Sequence, residues 1–338
     1  MIYPNFSKKV KLFLRILLTG AFGNVGLSTL NELLKRNHKI RVFDIKNKRT
    51  RHLAHKFKNR VEIIWGDIRN SNDVEYVVSG CDVIIHVAAI IPPIADKKPR
   101  FAEAVNVGGT SNIIEAMKKQ PQKPKLIFTS SIAIYGDRTK NPLILPTDPL
   151  NPNDDDEYAK QKVKCEELIR NSGLEWVICR LTYIVSINKL QMDPLMFEMP
   201  LNTCIEVCDT KDVGLALANA VENENVWGEI LHIAGGERCR ISYRAYLNEM
   251  MDIFGIGNVP LPSEAFSTKG FHCGFMTTYK SQDLLQYQQH TLDDYFNEVR
   301  KKVALSRLFT SMFRPVVKRF LLHKSLYYRE YRNTLHSL

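Results

Sequence analysis

The chain has 338 residues, of which 44% are hydrophobic and 25% charged. It is long enough to bury one large core or two, and its composition is ordinary for a soluble globular protein. No apolar run approaches the roughly 18 residues that a transmembrane helix needs. The seven cysteines, at 81, 165, 179, 204, 208, 239 and 273, are an odd and scattered set. They read as reduced thiols of a cytoplasmic protein, and Cys204-x3-Cys208 has no matching Cys or His pair, so no metal site is expected. The net charge of +11 is uneven: residues 299–338 hold ten Lys or Arg against Glu330 alone, +9 in total, which leaves +2 for residues 1–298.

The run Val10 to Leu18 reads as a first strand, not a signal peptide, because no small-residue cleavage site follows it. It stops at Thr19-Gly20-Ala21-Phe22-Gly23-Asn24-Val25-Gly26, and a helix-like segment, Leu27 to Lys35, follows. Glycines in such a turn admit a pyrophosphate close to backbone N–H groups, and the new helix aims its positive dipole end at the anion. The spacing G-x-x-G-x-x-G is wider than the usual G-x-G-x-x-G, and taken alone it fits a plain turn equally well. A second strand, 39–44, ends at Asp44, 18 residues after Gly26. A carboxylate there accepts from ribose hydroxyls and repels a 2′-phosphate, which favours NAD over NADP. Lys46, Lys48, Arg49 and Arg51 weigh the other way.

Further apolar runs at 61–65, 82–87, 125–130 and 174–180 alternate with helix-patterned segments near 71–79, 100–120 and 156–172. Unalternated apolar runs suit strands buried on both faces, and strand–helix alternation predicts a parallel, doubly wound α/β sheet. The third strand leads into Asp67-Ile68, where Asp67 can meet an adenine amino group or turn the chain. The fourth leads into His86-Val87-Ala88-Ala89, whose small residues let backbone lie against a flat ligand; His86 itself reads as structural. Asn106, in Val105-Asn106-Val107-Gly108-Gly109-Thr110, is either a helix kink or a group that bonds backbone or an active-site water. The stretch 137–155 reads as a long surface loop.

The fifth strand runs into Ser130-Ser131, at the sheet end where open α/β folds bind ligands. Tyr158 and Lys162 follow at i and i+4 of one helix, on a shared face. A phenol is a poor base at neutral pH, and a nearby ammonium favours its ionised form. Such a Tyr can exchange a proton with a substrate hydroxyl or carbonyl while hydride moves at a nicotinamide, with Ser131 holding the reacting oxygen.

Thr19-Gly20-x2-Gly23-x2-Gly26, Asp44, Asp67-Ile68, His86-Val87-Ala88-Ala89, Asn106-Val107-x-Gly109-Thr110, Ser130-Ser131-x3-Tyr135-Gly136 and Tyr158-x3-Lys162 occur in this order, with Arg180 and Asp212-Val213 after them. Over residues 14–240 the chain resembles the extended short-chain dehydrogenase/reductase family, the NAD-dependent epimerase/dehydratase group. The resemblance implies Ser131, Tyr158 and Lys162 as catalytic residues, joined by Asn106, with Lys162 also bonding the nicotinamide ribose. It implies a cofactor site of Gly20, Gly23, Asn24, Val25, Gly26, Asp44, Asp67, Ile68, Val87 and Ala88, together with Asn106, Tyr158 and Lys162. The expected organisation is a Rossmann domain over 1–180, with a later strand and helix from about 204–235 interleaved, a smaller substrate-binding lobe over 181–298 and, outside the resemblance, a basic helical tail over 299–338.

Only 31 residues separate Arg180 from Asp212, where nucleotide-sugar epimerases of this family have a longer insert. Ser131-Ile132 also lacks the threonine and acidic pair of the dehydratases. Simple hydride transfer, or epimerisation through a transient ketone, is the activity this leaves; the alternative is a non-catalytic dinucleotide-binding sensor. Residues 226–235 read as a late strand in the substrate lobe, and 242–300 as helical. Phe266, Phe271, Phe275, Tyr279 and Tyr287 are either core or pocket lining. In the tail, Leu305, Leu308, Phe309, Met312, Phe313, Val316 and Phe320 recur at helical spacing, with Arg307, Arg314 and Lys318 opposite and Pro315 set to restart the helix. That pattern fits packing on the body, a homodimer or peripheral contact with an anionic membrane. It lacks the marks of a nucleic-acid module.

Overall fold

A computed structural model describes residues 13–190, 194–257 and 260–336. Val10 to Leu12, expected to open the first strand, lie outside the described residues. The first strand, β1, is Arg15–Thr19, and α1 follows at Asn24–Leu33. Next come β2 (Lys39–Asp44), α2 (Lys48–Ala54), β3 (Glu62–Trp65), α3 (Ser71–Val78) and β4 (Val83–His86). After β4 come α4 (Ile94–Lys97), α5 (Pro99–Glu103), a π-helical step at Ala104–Gly108 and α6 (Gly109–Lys119). β5 (Lys125–Ser131), β6 (Leu143–Ile144), α7 (Glu157–Arg170), β7 (Trp176–Leu181) and β8 (Tyr183–Val185) complete the first half.

Seven strands form one parallel sheet, with β7 and β10 (Ile230–Ile233) extending β5-β4-β1-β2-β3 at one edge. The order reverses at β1, so the crevice beside it opens between the ends of β1 and β4. The central strands are apolar on both faces because helices cover both: Ile16, Leu17, Leu18, Ile84 and Ile85 are fully buried. One side packs on α1 and α8 (Thr210–Val221), which meet so closely that a Cβ on Gly214 would lie 2.6 Å from the Ser28 backbone. The other side packs on α3, α6 and α7.

The strand expected in the substrate lobe is therefore an edge strand of the main sheet. Its neighbour β9 (Cys204–Asp209) instead joins β8 and β11 (Arg240–Ser242) in a separate three-stranded sheet. The region 242–300 is mixed: α9 (Tyr243–Ile253), β12 (Phe275–Met276), α10 (Tyr279–Leu285) and the start of α11 (Leu292–Met312). β12 pairs with β6, which lies inside the stretch read as a loop. Phe266 and Tyr287 are core, Tyr279 is 77% exposed, and Phe271 lines a cavity. A second core holds Tyr243, Tyr246, Phe296 and Val299, with Leu321 reaching it from the tail. The tail continues as α12 (Arg314–Lys324) and α13 (Leu326–His336), with Pro315 in the first turn of α12, where a missing N–H costs nothing. No described helix is long and apolar enough to cross a membrane.

Candidate active site

The turn after β1 is shaped by close approach. Gly20 has φ +66° and donates its N–H to Phe43 O at 2.9 Å. A Cβ on Gly20 would fall 2.7 Å from Ala88 Cα, and one on Gly26 would fall 2.1 Å from Gly20 O. Gly23 caps α1 with no side chain over the helix end. The first-turn N–H groups of Asn24, Val25 and Gly26 have no intrahelical acceptor to satisfy. Val87 and Ala88 hold the opposite wall, both amides 3.3 Å from Thr19 Oγ1. A side chain at Gly20 or Gly26 would force the turn away from Ala88 or from itself, so the glycines keep the turn tight and its backbone uncovered, which is what a pyrophosphate seat needs.

Asp44 stands beside the turn and accepts from Phe22 N and Ile45 N, both at 2.8 Å. Burial pushes its pKa up, against the pull of those two amides and of Arg49. A carboxylate with two oxygens has lone pairs left for two hydroxyls. Asp67 is engaged elsewhere: both its oxygens face the Arg69 guanidinium, which lowers its pKa. Ile68 is buried against Gly109. Residues 46–60 contain seven Lys or Arg and no acid. Of these, Lys46, Lys48, Arg51 and Lys58 line a second cavity of about 730 Å³ that begins two residues after Asp44.

The hydroxyl groups gather where β5 ends. Ser131 closes the strand, and its hydroxyl accepts from Ala133 N at 3.2 Å. Ser130, 2% exposed, has a hydroxyl without a partner among the described residues. Asp156 caps α7 by accepting from Ala159 N at 2.8 Å, and so fixes the helix that carries Tyr158 in its first turn. Lys162 is buried, donates to Thr129 O at 2.6 Å, and lies 4.5 Å from the Phe128 ring centre. Burial lowers its pKa to about 8. Its Nζ is 5.8 Å from the centre of the Tyr158 ring.

Here the electrostatics differ from the expectation. Burial pushes the Tyr158 pKa up, and the hydrogen bond from Ser131 offsets only part of the rise. The Lys162 ammonium is committed to a strand carbonyl rather than to the phenol oxygen, so Tyr158 rests as a neutral phenol.

Asn106 sits in the π-helical step, with both ends of its amide spent on protein: Oδ1 accepts from Ile90 N at 2.7 Å, and Nδ2 donates to Ile90 O at 2.9 Å and Gln161 Oε1 at 2.7 Å. It clamps the loop after β4 to α7. Gln161, buried and three residues after Tyr158, is a partner that sequence reasoning passed over; the i, i+3 relation to Tyr158 was the available signal. His86 is held between Thr19 Oγ1 (2.8 Å) and Thr110 Oγ1 (3.1 Å), and burial drops its pKa to about 3, so it stays neutral. Arg180 forms a buried pair with Glu166 and also donates to Tyr135 OH and Pro146 O. No described group of three or more His, Cys, Asp or Glu is placed to hold a metal.

A cavity of about 690 Å³ reaches Asp155 and Asp156, just ahead of α7, and is lined by none of Ser131, Tyr158 and Lys162. Much of its wall is soft and apolar: Met196, Met199, Met250, Met251, Leu247 and Phe254. The rest of the wall is strongly polar, with Asp96, Lys97, Lys189, Glu198, Lys269 and His272 among its charged groups, and His272 Nδ1 lies 3.3 Å from Asp156 Oδ2.

Residues 17–177 match the 3-beta hydroxysteroid dehydrogenase/isomerase family. Among curated relatives, a 3 beta-hydroxysteroid dehydrogenase/Delta 5-->4-isomerase of Mycobacterium tuberculosis is 33% identical over 46% of this chain and 42% of its own length. The N-acetyl-alpha-D-glucosaminyl-diphospho-ditrans,octacis-undecaprenol 4-epimerase of Escherichia coli O157:H7 is 33% identical over 48% of this chain and 43% of its own. The chain thus spans less than half the length of these relatives. Among solved structures, the dTDP-glucose 4,6-dehydratase DesIV of Streptomyces venezuelae, with NAD bound, aligns with 88% of this chain and 98% of its own at TM-score 0.74. At 19% identity that likeness shows the fold alone.

Proposed function

We propose that the chain is an NAD-dependent oxidoreductase of the extended short-chain dehydrogenase/reductase family, acting at a secondary alcohol or ketone. One juxtaposition carries the reading. Ser131, Tyr158 and Lys162 stand at the same sheet end as the Gly20–Gly26 cradle and Asp44. NAD, when bound, supplies the hydride acceptor or donor.

The chain's own groups handle orientation and the proton. The cradle and the first-turn amides of α1 hold the pyrophosphate, and the spare lone pairs of Asp44 hold ribose hydroxyls. Tyr158, a neutral phenol at rest, donates its proton to a substrate carbonyl in the reductive direction. In the oxidative direction Tyr158 first gives up its own proton to solvent, the resulting phenolate takes the substrate's hydroxyl proton, and buried Lys162 is the protein group whose positive charge favours that ionised form. Ser131 bonds the reacting oxygen and fixes its distance from Tyr158. Asn106 and Gln161 keep the loop after β4 in register with α7, a positioning role. The complete set of three groups argues against a non-catalytic sensor, which has no use for them.

The apolar part of the cavity wall, built by Met196, Met199, Met250, Met251, Leu247 and Phe254, favours a hydrophobic secondary alcohol, in keeping with the hydroxysteroid relatives, over the nucleotide sugars of the epimerase relatives. The test is NADH formation by purified protein with NAD and, in parallel, hydrophobic 3-hydroxysteroids and nucleotide sugars. Turnover with steroids alone supports the reading. Turnover with sugars alone overturns the substrate class, and NAD binding without turnover on either leaves the sensor.

A further inference from the structure

We propose that α11 and α12 dock the chain on an anionic lipid bilayer. The argument begins with the two sides of α11. At about 100° per residue, Leu292, Phe296, Val299 and Val303 share one side and are buried in the second core. Leu305, Leu308, Phe309 and Met312 fall on the opposite side, where they are 66–80% exposed. The turn and α12 continue the stripe with Phe313, Val316 and Phe320, at 54–66%. Single exposed apolar side chains are ordinary, but a run across two successive helices marks an interaction surface.

The charges around the stripe say what covers it. The cations on the inner side are engaged with the body: Arg300 pairs with Glu249, Arg307 with Asp252, and Arg314 donates to Gly255 O at 2.9 Å. Lys301 and Lys302 stand on the outward side one turn ahead of the stripe, and Arg319 and Lys324 flank it on α12. None of these four has an acidic partner among the described residues. Apolar side chains framed by unneutralised cations match a surface of lipid tails beneath anionic headgroups. A second copy is a poor occupant, because a two-fold contact would set a tail of net charge +9 against its own like. The surface is also tied to the methionine-lined cavity. Phe254 lines that cavity, the next residue is the Gly255 held by Arg314, and Tyr327 of α13 lines it too. Docking therefore fixes which side of the cavity meets the bilayer.

The test uses the full chain, sedimented with vesicles of phosphatidylcholine alone or with about one-third phosphatidylserine. The expected result is at least tenfold stronger partition onto the anionic vesicles, reduced severalfold by high salt. Phe309→Glu with Phe313→Glu should lower that partition at least tenfold, as should the charge reversal Lys302→Glu with Arg319→Glu. All four positions are solvent-facing, and an unchanged thermal transition and NAD affinity confirm the fold of each variant. Three results overturn the proposal: no partition by the wild type, equal partition onto neutral vesicles, or unchanged partition by both variants. A wild-type dimer that Phe309→Glu with Phe313→Glu dissociates, without vesicle binding, assigns the stripe to a second copy instead. The readout is binding, so its failure leaves the oxidoreductase reading untouched.

Discussion

Replacing Lys162 by methionine separates what the buried ammonium does for chemistry from what it costs the fold. Lys162 is 3% exposed, and burial lowers its pKa from 10.5 to about 8. A gap of about 2.5 units, at about 1.4 kcal/mol each, is roughly 3 kcal/mol against the charged form in the folded chain. The folded pKa lies below the unfolded one, so between about pH 8 and 10.5 the unfolded chain holds a proton that the folded chain has lost. The unfolding free energy contributed by Lys162 therefore rises with pH across that window, and below it the penalty is present in full. Methionine removes the titration but leaves Thr129 O without its 2.6 Å donor, at a cost of about 1–3 kcal/mol. Near neutral pH the two effects oppose, and Lys162→Met should be between equally stable and about 2 kcal/mol more stable than wild type. Near pH 10 the wild type should be the more stable. Urea unfolding of both proteins across this range reads the difference, because the buried tyrosines and the cysteines other than Cys165, which interacts with Lys162, titrate in both and cancel. Turnover should be lost in the variant at every pH. Stability curves that stay parallel from neutral to alkaline pH would refute the buried-ammonium reasoning.

Two further outcomes bear on the cofactor. Gly26→Ala places a Cβ 2.1 Å from Gly20 O, so NAD affinity measured by calorimetry should fall at least about tenfold, more than 1.4 kcal/mol; unchanged affinity would remove the turn as the pyrophosphate seat. Asp44→Asn removes a like charge from the path of a 2′-phosphate, beside a cavity lined by Lys46, Lys48 and Arg51. The NADP-to-NAD affinity ratio should rise about tenfold or more, and a constant ratio would show that Asp44 does not set the choice.

The parallel core was legible because its strands are covered on both faces, so Ile16-Leu17-Leu18 and Ile84-Ile85 stand out as unbroken apolar runs. The wide glycine spacing was legible too, and its reason lies in Gly20 O, which leaves no room for a Cβ at Gly26. Short elements held by partners distant in sequence were not legible. β6 exists only because β12 pairs with it, some 130 residues later, and β10 reads as lobe until β7 places it at the edge of the main sheet. The missed helix α2 did carry a local sign, the reciprocal cap between Asn47 and Thr50. Tyr158 shows the limit of pattern reading at the site. The i, i+4 spacing puts Lys162 on the same face, but only the tertiary fold shows that its ammonium turns to Thr129 O and that burial governs the phenol. In the tail, helical spacing revealed the apolar stripe, while its exposure depends on which side of α11 the second core covers.

The most direct measurement is NAD-dependent turnover by Tyr158→Phe beside the wild type, with NAD affinity measured on the same samples. The proton exchanged with the substrate oxygen is assigned to one phenol, so kcat should fall by about a thousandfold, within the 10²–10⁴ range of general acid–base catalysis. NAD affinity should stay within about threefold, less than 1 kcal/mol. Wild-type rates in the phenylalanine variant would contradict the assignment of Tyr158 as the acid and base of the reaction.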